Sequence, residues 1–96
     1  MIALIVHMKV KPGTEEECKR LMRVMEEHTR REPGCIQYVG HQSTQDSTHF
    51  SFYETYRSMA DLESHWATDH FKQYVTNGLD KIVVERSKEL STPISE

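Results

Sequence analysis

Ninety-six residues, 36% apolar and 28% charged, leave room for one lean domain and no second core. A formal charge of −3, with Lys and Arg mostly scattered singly, argues against nucleic acid or an anionic membrane as the main partner. No apolar run approaches the roughly 18 residues that span a bilayer, and two cysteines outside any Cys-x-x-Cys motif fit a reduced, cytoplasmic setting.

Ile2 to Val10 reads as a strand, with Ile2, Leu4, Val6, Met8 and Val10 on one face and Ala3, Ile5, His7 and Lys9 on the other. The start of the chain has no basic flank and no cleavage site, unlike a signal peptide. Both faces of the strand are largely apolar in its first half, so both are expected to be covered. Lys11-Pro12-Gly13 ends the strand, and Thr14 with Glu17 has the spacing of a capping box. Cys18, Leu21, Met22 and Met25 then recur at helical spacing. Lys19-Arg20 and Arg30-Arg31 share this helix with many glutamates, which reads as a solvated mixed-charge face. Glu32-Pro33-Gly34 stops the helix.

Cys35 to Thr44 alternates as a second strand, with Ile36 and Tyr38 on one side and Gln37 and Val39 on the other. Gln45-Asp46-Ser47 turns the chain into a third strand, His49 to Tyr56, rich in aromatics. Ser58 and Asp61 signal another cap, followed by Met59, Leu62 and Trp66 on one helix face. Thr68-Asp69 restarts a short helix that Asn77-Gly78 closes. A last strand is expected between Leu79 and Leu90, centred on Ile82-Val83-Val84. Residues 1–90 thus make a single domain and 91–96 a loose polar tail.

The order β-α-β-β-α-β predicts an α+β, ferredoxin-like domain: a four-stranded antiparallel sheet with helices on one face. The other face carries Ile5 and further apolar groups, and a second copy of the same sheet is its economical cover. A face-to-face homodimer is therefore expected.

The segments Glu32-Pro33-Gly34-Cys35-Ile36-Gln37-Tyr38, Phe50-Ser51-Phe52-Tyr53-Glu54-Thr55-Tyr56, Leu62-Glu63-Ser64-His65 and Asp69-His70-Phe71 resemble, in order and spacing, the antibiotic-biosynthesis monooxygenase family. The resemblance covers nearly the whole chain. It implies a dimeric α+β barrel with one pocket per subunit between sheet and helices. It also implies several chemistries: oxidation of phenols or quinols by O2 without metal or flavin, haem degradation, or isomerisation of a phosphorylated sugar derivative. The haem-degrading relatives need an Asn, a Trp and a His where an ungapped alignment here puts Val6, His65 and Val75, so that branch is disfavoured.

Oxygenation without a cofactor needs aromatic walls, a base titrating near neutrality and a dry site for the oxyanion. His65 and His70, bracketed by Trp66 and Phe71, are the candidate bases. Each could equally pack or cap at a helix junction. Glu54 shares a strand face with Phe50, Phe52 and Tyr56, where a carboxylate is costly to bury unless paired, and His65 is the expected partner. Tyr38, Phe52, Tyr53, Trp66 and Phe71 are the candidate substrate contacts. Six histidines with no His-x-His spacing, and no clustering with Cys or acids, make no metal site at the level of sequence, and no cofactor is expected. The leading expectation is a cofactor-independent monooxygenase acting on a small phenol, quinol or enolisable aromatic. An isomerase or tautomerase of a small carbonyl compound, or a non-catalytic stress-response dimer that binds a small molecule, are the alternatives.

Overall fold

The computed structural model describes residues 1–95. Its elements run β1 (Ile2–Val10), α1 (Glu15–Thr29), β2 (Cys35–Gln42), β3 (His49–Tyr56), α2 (Met59–Trp66), a π-helical segment (Phe71–Thr76), a 3-10 turn (Leu79–Lys81) and β4 (Val83–Ser91). The four strands form one antiparallel sheet in the order β2-β3-β1-β4. This is the expected ferredoxin-like arrangement.

Alternation along β1 buries Leu4, Val6, Met8 and Val10, which meet Cys18, Leu21, Met22 and Met25 of α1. β3 adds Phe50, Phe52 and Tyr56, and α2 adds Leu62, fully buried. Each of these side chains removes apolar area worth about 1.5–3 kcal/mol from water. Gly13 turns the chain between β1 and α1 at φ +94, a backbone conformation that suits glycine. Four glutamates of α1 pair with basic residues one turn on: Glu16 with Lys19, Glu17 with Arg20, Glu26 with Arg30 and Glu27 with Arg31. The expected mixed-charge face is there.

Three local expectations need correction. The capping box at α1 does not form: the Thr14 hydroxyl donates back to the Lys11 carbonyl at 2.6 Å, and Glu17 is held by Arg20. Thr14 sits at φ −104, ψ 10, away from the extended conformation that aims a capping side chain forward. By contrast Ser58, which is extended, accepts from the Asp61 N–H and caps α2 as expected.

The second correction lies at the start of β2. The register shifts between Cys35 and Gln37, so Ile36 is 53% exposed while Tyr38 is buried. A bulge breaks the period-two pattern that would have put both on one face.

The third concerns the end of the chain. The apolar run at 82–84 is only the entrance to β4, which continues through Ser91 because its backbone pairs with β1 from Val83↔Val10 to Ser91↔Ala3. Most of β4 is exposed. Ser91, expected in the tail, is therefore strand, and Glu96 lies outside the described residues.

All helices lie on the Leu4–Val6–Met8 side of the sheet. The opposite side shows Ile5, His7, Val39, His41, Ser51 and Tyr53, brought into register by β1–β3 and β3–β2 pairing. Tyr53 is 45% exposed there, its ring 4.7 Å from that of His41. No described helix is long and apolar enough to cross a membrane.

Candidate active site

A small cleft opens between the inner face of the sheet and the α2–π-helix junction. Leu4, Val6 and Met8 form its floor, Tyr38, Phe52 and Glu54 one wall, and His65, Trp66, Phe71 and Val75 the roof. Arg86 and Lys88 of β4 border its open side. The free space is about 30 Å³, room for about two waters. Val6, His65 and Val75, the positions that differ from the haem-degrading pattern, all face this cleft.

The polar centre is assembled from distant segments. Ser58 starts α2, Leu62 anchors it in the core, and the next turn delivers His65, 1% exposed, to the cleft roof. Thr68 then locks the break: its hydroxyl donates to the His65 carbonyl at 2.8 Å and accepts from the Phe71 N–H. That break aims His70 back toward the turn after α1. There Glu32 takes hydrogen bonds from both imidazoles, from His65 Nδ1 at 2.9 Å and from His70 Nε2 at 2.5 Å. On the cleft side, His65 Nε2 lies 3.9 Å from a Glu54 carboxylate oxygen. Tyr56 donates its hydroxyl to Glu54 at 2.7 Å.

The titration of these groups follows from burial. Desolvation lowers the His65 pKa below its ordinary value, partly opposed by the Glu32 carboxylate, so the ring is neutral near pH 7. Desolvation also raises Glu54 to about 7, against the Tyr56 hydrogen bond and the Lys88 charge that pull it down. Glu54 is thus poised between acid and carboxylate at neutral pH. Burial pushes the thiols of Cys18 and Cys35 up to about 12 and 11, which leaves them unreactive.

The sequence-derived site residues divide as follows. His65, Glu54, Tyr38, Phe52, Trp66 and Phe71 line one cleft. His70 stands behind it, joined through Glu32 and stacked on His28 at 5.3 Å. Tyr53 lies on the opposite face of the sheet. The partner that holds His65 within hydrogen-bond range is Glu32 rather than Glu54. Sequence reasoning missed Glu32 as a site residue, reading its segment as a helix stop and as the start of the family pattern. A signal was present: a carboxylate just past a helix C-terminus opposes the macrodipole and needs a donor from elsewhere.

Comparison with known proteins agrees with this architecture. Residues 1–77 match the family described as antibiotic biosynthesis monooxygenase. The sll1783 protein of Synechocystis is 34% identical over 79 residues, 82% of this chain and 54% of that one, so the chain spans about half the length of this relative. The crystal structure of PA3566 from Pseudomonas aeruginosa superposes with a TM-score of 0.90 at 30% identity, covering 98% of this chain and 94% of that one. A crystal structure of an antibiotic biosynthesis monooxygenase superposes with a TM-score of 0.91 at 28% identity, covering 98% and 99% of the two chains. The chain belongs to the antibiotic biosynthesis monooxygenase family.

Proposed function

We propose that the protein oxidises a small phenol, quinol or enolisable aromatic with O2, without a cofactor, using His65 as the base. The observation that carries this reading is a neutral, buried imidazole. Its Nδ1–H is donated to Glu32, which leaves the Nε2 lone pair toward an aromatic-walled cleft. His65 Nε2 takes a proton from substrate carbon or hydroxyl, and Glu32 stabilises the imidazolium that forms, as a carboxylate behind a catalytic histidine does. Protonated Glu54 donates to the developing oxyanion from the facing wall. The electron-rich anion passes one electron to O2, and the radical pair joins as a carbon–oxygen bond. Loss of water from the resulting hydroperoxide leaves a carbonyl. One oxygen atom ends in product and the other in water.

The cleft must widen to admit an aromatic ring. The floor is fixed by the β1–β3 ladder, so the room has to come from Trp66, Phe71 and the exposed Arg86 and Lys88 side chains. Oxygen electrode measurements with a quinol panel in chelated buffer test the reading. One equivalent of O2 per product is expected, with no turnover under anaerobic conditions. Product formed without oxygen would favour an isomerase, and saturable binding without product a sequestering role.

A second copy of the chain is the proposed cover for the outer sheet face, where Ile5, Val39 and the half-exposed Tyr53 lie side by side. Introducing a charge in the middle of such a patch opposes its burial. Sedimentation equilibrium is expected to give twice the 11.3 kDa chain mass for the wild type and a shift toward monomer for Tyr53→Glu. A monomeric wild type at micromolar concentration would remove the dimer.

A further inference from the structure

We infer that Glu32, His65 and His70 together bind a divalent transition-metal ion of the zinc class, at a site behind the cleft. Each offers one ligand atom, and these atoms all lie within 4.8 Å of one another. Among the described residues, this trio is the group in which three ligating side chains converge. Two imidazoles and one carboxylate form a borderline donor set suited to zinc, with the remaining positions left to water or anion.

The geometry is close to what an ion needs. Ligand atoms around a tetrahedral zinc sit about 3.3 Å apart, from bond lengths of about 2.0–2.2 Å. The Glu32 carboxylate now lies 2.9 Å from His65 Nδ1 and 2.5 Å from His70 Nε2, so these two contacts lengthen by less than about 1 Å to admit the ion, and the two imidazole nitrogens already lie within 4.8 Å of each other. Glu32 can supply that movement, because its side chain is 13% exposed in the turn that follows α1. His70, 17% exposed, gives the ion its way in from solvent, while His65 is buried.

The surroundings of His65 supply the second half of the argument. To ligate through Nδ1, His65 must carry its proton on Nε2. At 1% exposure that N–H would be an orphan in most proteins. Here Nε2 faces the Glu54 carboxylate at 3.9 Å, which can close to accept it. A carboxylate behind a ligating imidazole is the usual way such a ring is oriented and its basicity raised. The Glu32 carboxylate also offsets part of the charge of a divalent ion. Binding therefore moves the His65 proton from one ring nitrogen to the other.

The same proton shift has a consequence for the cleft. With metal on Nδ1 and hydrogen on Nε2, His65 has no lone pair left to accept a substrate proton. The ion is an inhibitor of base chemistry at this cleft rather than its cofactor. Binding itself does not depend on the proposed oxidation, so the two readings stand or fall separately.

The test uses the full chain stripped with chelator and dialysed against Zn2+ or titrated with Co2+. One ion per chain is expected, with visible d–d absorption of a low-coordinate Co2+ centre. Proton–nitrogen correlation spectra of the wild-type histidines are expected to shift at His65 Nδ1 and His70 Nε2. Glu32→Gln and His70→Gln are each expected to weaken binding by more than about tenfold, with circular dichroism reporting whether each variant is folded. The outer-face pair His7 and His49, whose ring nitrogens are 3.0 Å apart, serves as the internal control. Uptake well below one ion per chain, unaltered affinity in both variants, or spectral shifts at His7 and His49 instead would overturn the site.

Discussion

His65→Gln is expected to lower quinol-dependent oxygen uptake by about 10²–10⁴-fold, the usual contribution of a positioned general base. Glutamine keeps the shape and can still donate to Glu32, so circular dichroism is expected to match the wild type. The wild-type pH profile should be a narrow bell. Its acid limb is the neutralisation of His65, below the ordinary histidine value because the ring is desolvated. Its alkaline limb is the loss of the Glu54 proton near pH 7. Removing the carboxylate behind the imidazole, in Glu32→Gln, takes away an influence that raises His65, so the acid limb should move to lower pH while kcat falls. A Glu32 that merely braced the turn would leave the limb where it is. If His65→Gln turns over at the wild-type rate, His65 is not the base.

Glu54→Gln is expected to make the protein more stable at pH 8 and less active. The Glu54 pKa is raised from 4.5 to about 7 in the folded state, so the folded protein binds this proton more tightly than the unfolded chain does. The resulting stability is fully present below pH 4.5 and is lost as pH rises to about 7. Above that pH the fold carries a buried carboxylate at a cost of about 3 kcal/mol, from 1.36 kcal/mol per pKa unit. Glutamine at 54 is neutral at every pH and still accepts from Tyr56. For a domain of this size, each kcal/mol moves Tm by about 4–8 °C, so a rise of about 12–24 °C at pH 8 is expected. Near pH 4 the two proteins should melt together. An equal difference at both pH values would show that Glu54 carries no such strain. The neighbouring His65 works in the opposite sense: its lowered pKa withdraws stability as pH falls through it. Two buried ionisable groups of opposite demand on one cleft are a destabilising arrangement that ordinary core packing has no use for.

Local pattern alone determined most of the architecture. The alternation of Leu4, Val6, Met8 and Val10, the helical stripe of Cys18, Leu21, Met22 and Met25, and the Ser58 cap each follow from a short-range rule, and each appears in the structure. The inward direction of Glu54 was legible for the same reason, since period two places it with Phe52 and Tyr56. What failed were features that depend on partners far along the chain. The extent of β4 is set by its ladder to β1, and the exposure of Ile36 by a bulge against β3. Periodicity carries no information on either. Glu32 and His65 are 33 positions apart, and only the packing of α1 against the α2–π-helix junction joins them. The separation of Tyr53 from the cleft follows from the pleat, while the narrowness of the cleft follows from side-chain volumes. The sequence by itself therefore determined the strands, the helices and the kinds of group available for chemistry. The tertiary structure decided which carboxylate holds which histidine, because hydrogen bonds and desolvation act through space and not along the chain.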